Sequence, residues 1–258
     1  MSFVSYETDG NVGLITLDRP EALNAISGAM ADDLTAALEE VSADNDVWVV
    51  VLRAAGEKAF CVGADLKERA GFSLDDFHAN RKQTRGMFEA LRSVPQPTIA
   101  AVFGVALGGG CELALSCDLI VAAEGTRLGL PEARVGLIPA GGGTQLLTRK
   151  LGTSRAKELI FRGRQIDVEE ARALGLVADI CERADLDSYS IEMARALLQS
   201  SPIALREAKR AIDSSLGLPL DEAIDVEHDA WTVVIASEDR AEGIAAFVEK
   251  RTPVWKNR

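Results

Sequence analysis

Two glutamates are the strongest candidates for acid–base chemistry in this 258-residue sequence. Glu112 lies in Gly108-Gly-Gly-Cys-Glu-Leu-Ala-Leu115, two residues after the last of three glycines and inside an apolar run. Glu132 follows a proline in Leu130-Pro-Glu-Ala-Arg-Val-Gly-Leu-Ile-Pro-Ala-Gly-Gly-Gly-Thr-Gln145. A carboxyl group in apolar surroundings resists ionisation, which moves its pKa toward the range where it can both give and take a proton. A glutamate taken singly is more often a solvated charge or an ion-pair partner. What favours a site is that each stands beside a glycine-rich stretch.

A third stretch, Phe60-Cys-Val-Gly-Ala-Asp-Leu-Lys67, carries a glycine before the helix-like start Asp65-Leu-Lys-Glu-Arg69. Gly63 permits a backbone turn that other residues resist, and the amides that follow face outward at a helix N-terminus. Gly108-Gly-Gly110 offers the same opportunity at the head of a second helix. Two such N–H groups converging from separate loops would stabilise an enolate oxygen. Tight packing of helix on strand explains the same glycines without chemistry, and both readings can hold together.

Other mechanisms lack their residues. The only histidines are His78 and His228, and there is no GxSxG elbow, P-loop or GxGxxG spacing. Cys61, Cys111, Cys117 and Cys181 have neither CxxC nor metal-ligand spacing, so they read as reduced, small apolar residues in a reducing compartment. The net charge of −12 argues against nucleic acid as a partner. The N-terminal residues carry Glu7, Asp9 and Asp18 and lack the pattern of a targeting leader, and no apolar run is long enough for a membrane span. The expectation is a cytoplasmic protein with no membrane association.

The elements that must hold these residues alternate. Residues 13–17, 47–52, 98–102 and 119–123 read as short strands, and 108–116 as a helix. Ser27–Val41 has apolar residues at helical spacing, with Ser27 as its N-cap. From about Thr153 the strand signals fade, and 154–161, 168–174, 186–199, 202–214 and 220–235 read as helices. The expected fold class is α/β, with a core over 1–195 and a helical C-terminal region over 196–258. Helices with apolar residues on more than one face suit a subunit interface.

The combination GADLKE, ALGGGCELAL, CD and PEARVGLIPAGGGTQ resembles the enoyl-CoA hydratase/isomerase (crotonase) superfamily over about Val12 to Arg251. The resemblance implies a spiral of ββα units with a helical C-terminal trimerisation region, assembled as a homotrimer or homohexamer. It implies an enoyl-CoA hydratase, adding water syn across a 2-trans-enoyl-CoA thioester in fatty acid or branched-chain acyl degradation. It assigns Ala64 and Gly109 to the oxyanion hole and makes Glu112 and Glu132 the catalytic pair. Glu112 would act mainly on the water and Glu132 would deliver a proton to C2. It gives Ala64, Asp65, Leu66, Lys67, Gly109, Ala140 and Lys250 as contacts to the acyl-CoA substrate, Lys250 in some relatives reaching a neighbouring subunit's ligand. No cofactor or metal is implied, CoA being part of the substrate.

Two positions depart from the family pattern: Ala140-Gly141 stands where Gly-Ala is common, and Glu21 stands where a basic residue is common. The nearest alternatives are a Δ3,Δ2-enoyl-CoA isomerase, which commonly keeps one of the two glutamates, and a methylglutaconyl-CoA hydratase, whose group FCVGADLKERA and AKELIF resemble. A non-catalytic or RNA-binding member of the fold is a different class, disfavoured by the charge and by the presence of both glutamates. The acyl pocket is expected to draw on residues 71–91.

Overall fold

The computed structural model describes residues 2–258. The chain opens with an antiparallel hairpin, β1 (Val4–Asp9) and β2 (Val12–Leu17). There follow α1 (Gly28–Ala43), β3 (Val49–Ala54), α2 (Leu66–Arg69), α3 (Leu74–Ser93), β4 (Thr98–Val102), β5 (Val105–Leu107) and α4 (Gly109–Ser116). Next come β6 (Leu119–Ala123), β7 (Arg127–Gly129), a 3-10 turn at Glu132–Val135, α5 (Gly143–Leu151) and α6 (Thr153–Arg162). The last elements are β8 (Gln165–Asp167), α7 (Val168–Ala173), β9 (Asp179–Cys181), α8 (Leu186–Leu197), α9 (Pro202–Ser215), α10 (Leu220–Ile235) and α11 (Glu238–Glu249).

Two sheets result. The larger has the order β1-β2-β3-β4-β6-β9 and is parallel from β2 onward, while the smaller has the order β5-β7-β8. The chain steps from the larger sheet to the smaller twice, from β4 to β5 and from β6 to β7, and returns after each, which is the sense in which it spirals. The parallel strands are buried on both faces, as crossover connections require. Val50 and Leu52 of β3 point into the core shared with α1, α3 and α4, whereas Val49 and Val51 point into a second core closed by α8. This alternation along one strand commits the register, since a slip of one residue would exchange the two cores.

Expectation and structure agree on 98–102, 119–123 and α10, and Ser27 caps α1 by accepting from the Met30 N–H at 3.2 Å. Strand β3 runs Val49–Ala54, two residues later than expected. The expectation that strands end near Thr153 is overturned by β8 and β9. Each is three residues long, too short for an alternating pattern to register, and each exists because it pairs with a longer-range neighbour. Periodicity alone marks neither the strand β1 nor the helices α3, α5 and α11. Among the described residues no helix is long and apolar enough to cross a membrane.

Candidate active site

The site is built where two loops touch backbone to backbone. Ala64 forms a parallel bridge with Ile26, held by Ile26 N–H to Gly63 O at 2.7 Å and Asp65 N–H to Ile26 O at 3.0 Å. Between these bonds the Ala64 N–H finds no acceptor among the described residues. The second loop ends β5 and enters α4. There Gly108 N–H donates to Gly129 O at 2.9 Å and Glu112 N–H donates to Gly108 O at 2.9 Å. The Gly109 N–H, at the first position of α4, also has no protein acceptor among the described residues, as expected of a helix N-terminus.

Glycine is required for this approach. Gly63 has φ +88°, and a Cβ there would lie 2.8 Å from Leu107 O and 2.9 Å from Gly109 N. At Gly110 a Cβ would overlap the Cys61 carbonyl. A Cβ placed on Gly109 would stand 3.8 Å from Ala64 N, which sets the two unpaired amides side by side on separate loops. Two donors so arranged, fixed by surrounding secondary structure, have the geometry that an oxyanion site requires.

Beneath them the two carboxyls have different settings. Glu112, on α4, is 3% exposed, and its Oε1 accepts from Gly141 N–H at 2.6 Å and Gly143 N–H at 2.8 Å. Burial raises its pKa above the usual carboxylate value, opposed by the Gly143 and Gly141 amides and by the charge of Arg81. Glu132 starts the 3-10 turn after β7, and its Oε2 is buried with no hydrogen-bond partner. Burial, reinforced by the nearby charge of Glu112 and only partly offset by its own N–H, pushes its pKa up to about 7. Glu132 therefore holds its proton well above the usual carboxylate range, while Glu112 has one oxygen fixed by backbone amides and the other free.

A cavity of about 380 Å³ joins these groups. Of the sequence-derived residues, Ala64, Leu66, Gly109, Glu112, Glu132 and Ala140 line it. Asp65 does not: it is 7% exposed, caps α2 through the Lys67 and Glu68 amides, and pairs with Arg19 at 2.6 Å. Burial works against its charge, and the Arg19 bond with the capping amides still brings its pKa below the usual value. Its place is behind the loop. Lys67 is exposed on α2 outside the cavity, and Lys250 sits in a left-handed conformation at the end of α11, away from these residues within one chain. Glu21 lies exposed in the 3-10 turn at Pro20–Ala22.

The expected contribution of residues 71–91 comes from Arg81, Thr84 and Phe88, which the sequence does not single out one by one, and Arg69, Leu137 and Ile138 also line the wall. Arg81, Thr84 and Phe88 fall at helical spacing along one face of α3, a pattern legible in principle but masked by the charges around it. The exchange of Ala140 and Gly141 also has a spatial counterpart. A Cβ at Gly141 would overlap the Phe88 ring and lie 2.8 Å from Glu112 Oε2, so glycine there makes room for the ring.

Comparisons with known proteins agree on one family. A family model described as enoyl-CoA hydratase/isomerase matches residues 7–258. The crystal structure of an enoyl-CoA hydratase from Bacillus anthracis superposes with a TM-score of 0.97 at 42% identity, covering 99% of this chain and 100% of that one. The "Probable enoyl-CoA hydratase" of Rhizobium meliloti is 43% identical over 252 residues, covering 98% and 97% of the two chains. The short-chain-enoyl-CoA hydratase of Clostridium acetobutylicum is 36% identical over 248 residues, covering 96% and 95%.

Proposed function

The chain belongs to the enoyl-CoA hydratase/isomerase family, and from that premise we propose how it acts as an enoyl-CoA hydratase. The substrate is a 2-trans-enoyl-CoA thioester. Its carbonyl oxygen sits against the Ala64 and Gly109 amides, with C2 and C3 between Glu112 and Glu132. The observation that carries this reading is the pair of unpaired amides over two buried carboxyls, one of them with an oxygen that no protein group satisfies.

Water held by Glu112 attacks C3 and loses a proton to that carboxylate. The electrons of the C2–C3 double bond move toward the carbonyl, and the resulting enolate oxygen is stabilised by the two amides. That stabilisation is larger in the transition state than in the substrate, so it lowers the barrier, by about 3–4 kcal/mol per donor. Protonated Glu132 then gives its proton to C2, and the two carboxyls exchange a proton to reset. A pKa near 7 suits a group that must be an acid in one half of the cycle and a base in the other. The split follows the settings: Glu112 keeps a free oxygen beside its amide-bound one, and Glu132 is the carboxyl that resists ionisation.

The test follows loss of the conjugated thioester absorbance with crotonyl-CoA. Glu112→Gln and Glu132→Gln are each expected to lower kcat by 10²- to 10⁴-fold while the protein stays folded. Near wild-type turnover in both variants would overturn the reading.

Assembly as a homotrimer or homohexamer belongs to the same proposal. It is supported by exposed apolar residues on the C-terminal helices, among them Leu220, Trp231, Phe247 and Val248. In such an assembly Lys250 would reach the nucleotide end of a ligand bound by a neighbouring subunit. Light scattering on the eluted protein checks the first point, with a mass three or six times that of the chain expected. A cytoplasmic location, checked by cell fractionation, completes the reading.

A further inference from the structure

We propose that Arg92 is a positioning residue for the reaction: by holding the Gly141 carbonyl away from the site, it keeps the amides of the Gly141–Gly143 loop on Glu112 and that carboxylate aimed at the water. The proposal rests on the functional reading above and adds a residue that touches neither substrate nor reacting atoms.

The loop is a partition between two cavities. Gly141 lines the 380 Å³ cavity of the two glutamates, while Gly142 and Arg92 line a second one of about 860 Å³ on the side of α9. On the inner side the Gly141 and Gly143 N–H groups donate to Glu112 Oε1 at 2.6 and 2.8 Å. On the outer side Arg92 Nη1 donates to Gly141 O at 3.0 Å. Gly141 O and the Gly142 N–H belong to one trans peptide and so point in opposite directions. Fixing the carbonyl on Arg92 therefore turns the Gly142 N–H inward, where it joins the Gly141 and Gly143 amides in favouring the charged form of Glu112.

Three successive glycines do not hold such an arrangement by themselves. Gly142 has φ +128°, and without side chains the segment has many other conformations open to it. Among the described residues Arg92 is the only side chain that donates to the backbone of residues 139–143, and that bond is its only hydrogen bond. A basic residue in the last turn of α3 suits the helix dipole, which accounts for the charge and not for the direction of the guanidinium. Much of the side chain is exposed, so its charge is screened and the hydrogen bond is what reaches the site.

No neighbouring group can take over. Glu112 faces Arg81 and Arg92 from α3, Glu132 from the 3-10 turn and Cys111 on its own helix. Arg92 has Arg81, Arg85 and Glu89 beside it on α3, and Asp118, Arg149, Lys150, Lys209 and Asp213 line its cavity. None of these donates to the loop. Loss of Arg92 leaves Gly141 O without a protein partner and the peptide free to turn. An amide turned off the carboxylate no longer favours its charge, so Glu112 would keep its proton to higher pH.

The test measures crotonyl-CoA hydration across pH by wild type, Arg92→Met, Arg92→Lys and Arg85→Met. Arg92→Met is expected to lower kcat about 5- to 30-fold with KM changed less than about 2-fold, and to move the acid limb of the kcat profile up by about half a pH unit. Arg92→Lys, which can still donate to Gly141 O, is expected to restore most of both. Arg85→Met removes an exposed charge from the same helix without touching the loop, and is expected to leave kcat and the limb in place. A merely structural role would lower the melting temperature of Arg92→Met and leave its acid limb unmoved, and that result overturns the proposal. It is overturned equally if Arg85→Met moves the limb as far as Arg92→Met, since a diffuse field would then be at work. Infrared titration reads Glu112 without turnover: the protonated-carboxyl band that Glu112→Gln abolishes should persist to higher pH in Arg92→Met. A wild type that hydrates no enoyl-CoA while this band responds to Arg92 would sink the hydratase reading alone. An active wild type whose band and limb ignore Arg92 would sink this inference alone.

Discussion

Replacing Glu132 by glutamine is expected to make the protein more stable at the same time as it removes activity. In the folded chain Glu132 ionises at about 7 against an ordinary value of 4.5. Below pH 4.5 the group is neutral whether the chain is folded or not, and it contributes no difference. Between 4.5 and 7 the unfolded chain releases the proton while the folded chain keeps it, so the folded state binds more protons and its stability falls as pH rises. Above 7 both forms are ionised and the loss levels off at about 1–2 kcal/mol, the part of the shift left after solvent screening of a half-buried side chain. Glutamine has nearly the same shape and no proton to release, so Glu132→Gln escapes the loss. Melting curves of the two proteins should therefore nearly coincide at pH 4.5 and separate by about 2–8 °C at pH 8, with the variant higher. Crotonyl-CoA hydration by the same samples should fall by at least 10²-fold. A difference in melting that is independent of pH, or a variant less stable than wild type at pH 8, would refute the assignment of a buried, unpartnered carboxyl.

The remaining expectations concern the scaffold and the second carboxyl. Gly63→Ala would drive a Cβ to within 2.9 Å of both Leu107 O and Gly109 N at a backbone angle that favours glycine. It is expected to cost about 1–3 kcal/mol of stability and at least 10²-fold in kcat, read from denaturant melts and the absorbance assay. Arg19→Ala strips the ion partner from a nearly buried Asp65, so a loss of about 2–3 kcal/mol and a raised KM are expected as the loop carrying Ala64 loosens. Gly141→Ala would push on Phe88 and Glu112 together, and an at least 10-fold fall in kcat/KM for all enoyl thioesters is expected.

The parts of this fold legible in the sequence are those whose physics is local. Strands 98–102 and 119–123 are short apolar runs between turn residues, and α1 announces itself by Ser27 and an apolar stripe. The strands β8 and β9 could not be read because their three residues acquire extended pairing only from β7 and β6, which are 36 or more residues earlier in the chain. The same division runs through the site. Glycine clusters and apolar-flanked glutamates are visible in a string of letters. That the Gly63 loop lies on the Gly108–Gly110 loop, or that α3 turns Arg81 and Phe88 toward Glu112, depends on contacts the string does not display. The familial pattern supplied that information in place of periodicity, and it supplied least where the chain departs from it.

The two glutamates show why residue type alone cannot assign a role. Both are carboxyls removed from water, and both are pushed toward neutrality. Glu112 is met by the amides of Gly141 and Gly143 at the head of α5, so its burial is partly compensated and one oxygen is fixed in direction. Glu132 meets only its own backbone N–H, its Oε2 has no partner, and the side chain lines the same cavity. An environment that satisfies one carboxyl and leaves its partner wanting a proton is what the proposed division of their tasks rests on. The separation is set by backbone amides at the start of a helix, and it would be lost if α5 began one residue later. Inserting a single residue between Pro139 and Gly141 should therefore free Glu112 from its two amides, raise its pKa further, and shift the acid limb of the pH–rate profile to higher pH. An unchanged acid limb in an insertion variant that still folds would mean that these amides do not govern the ionisation of Glu112.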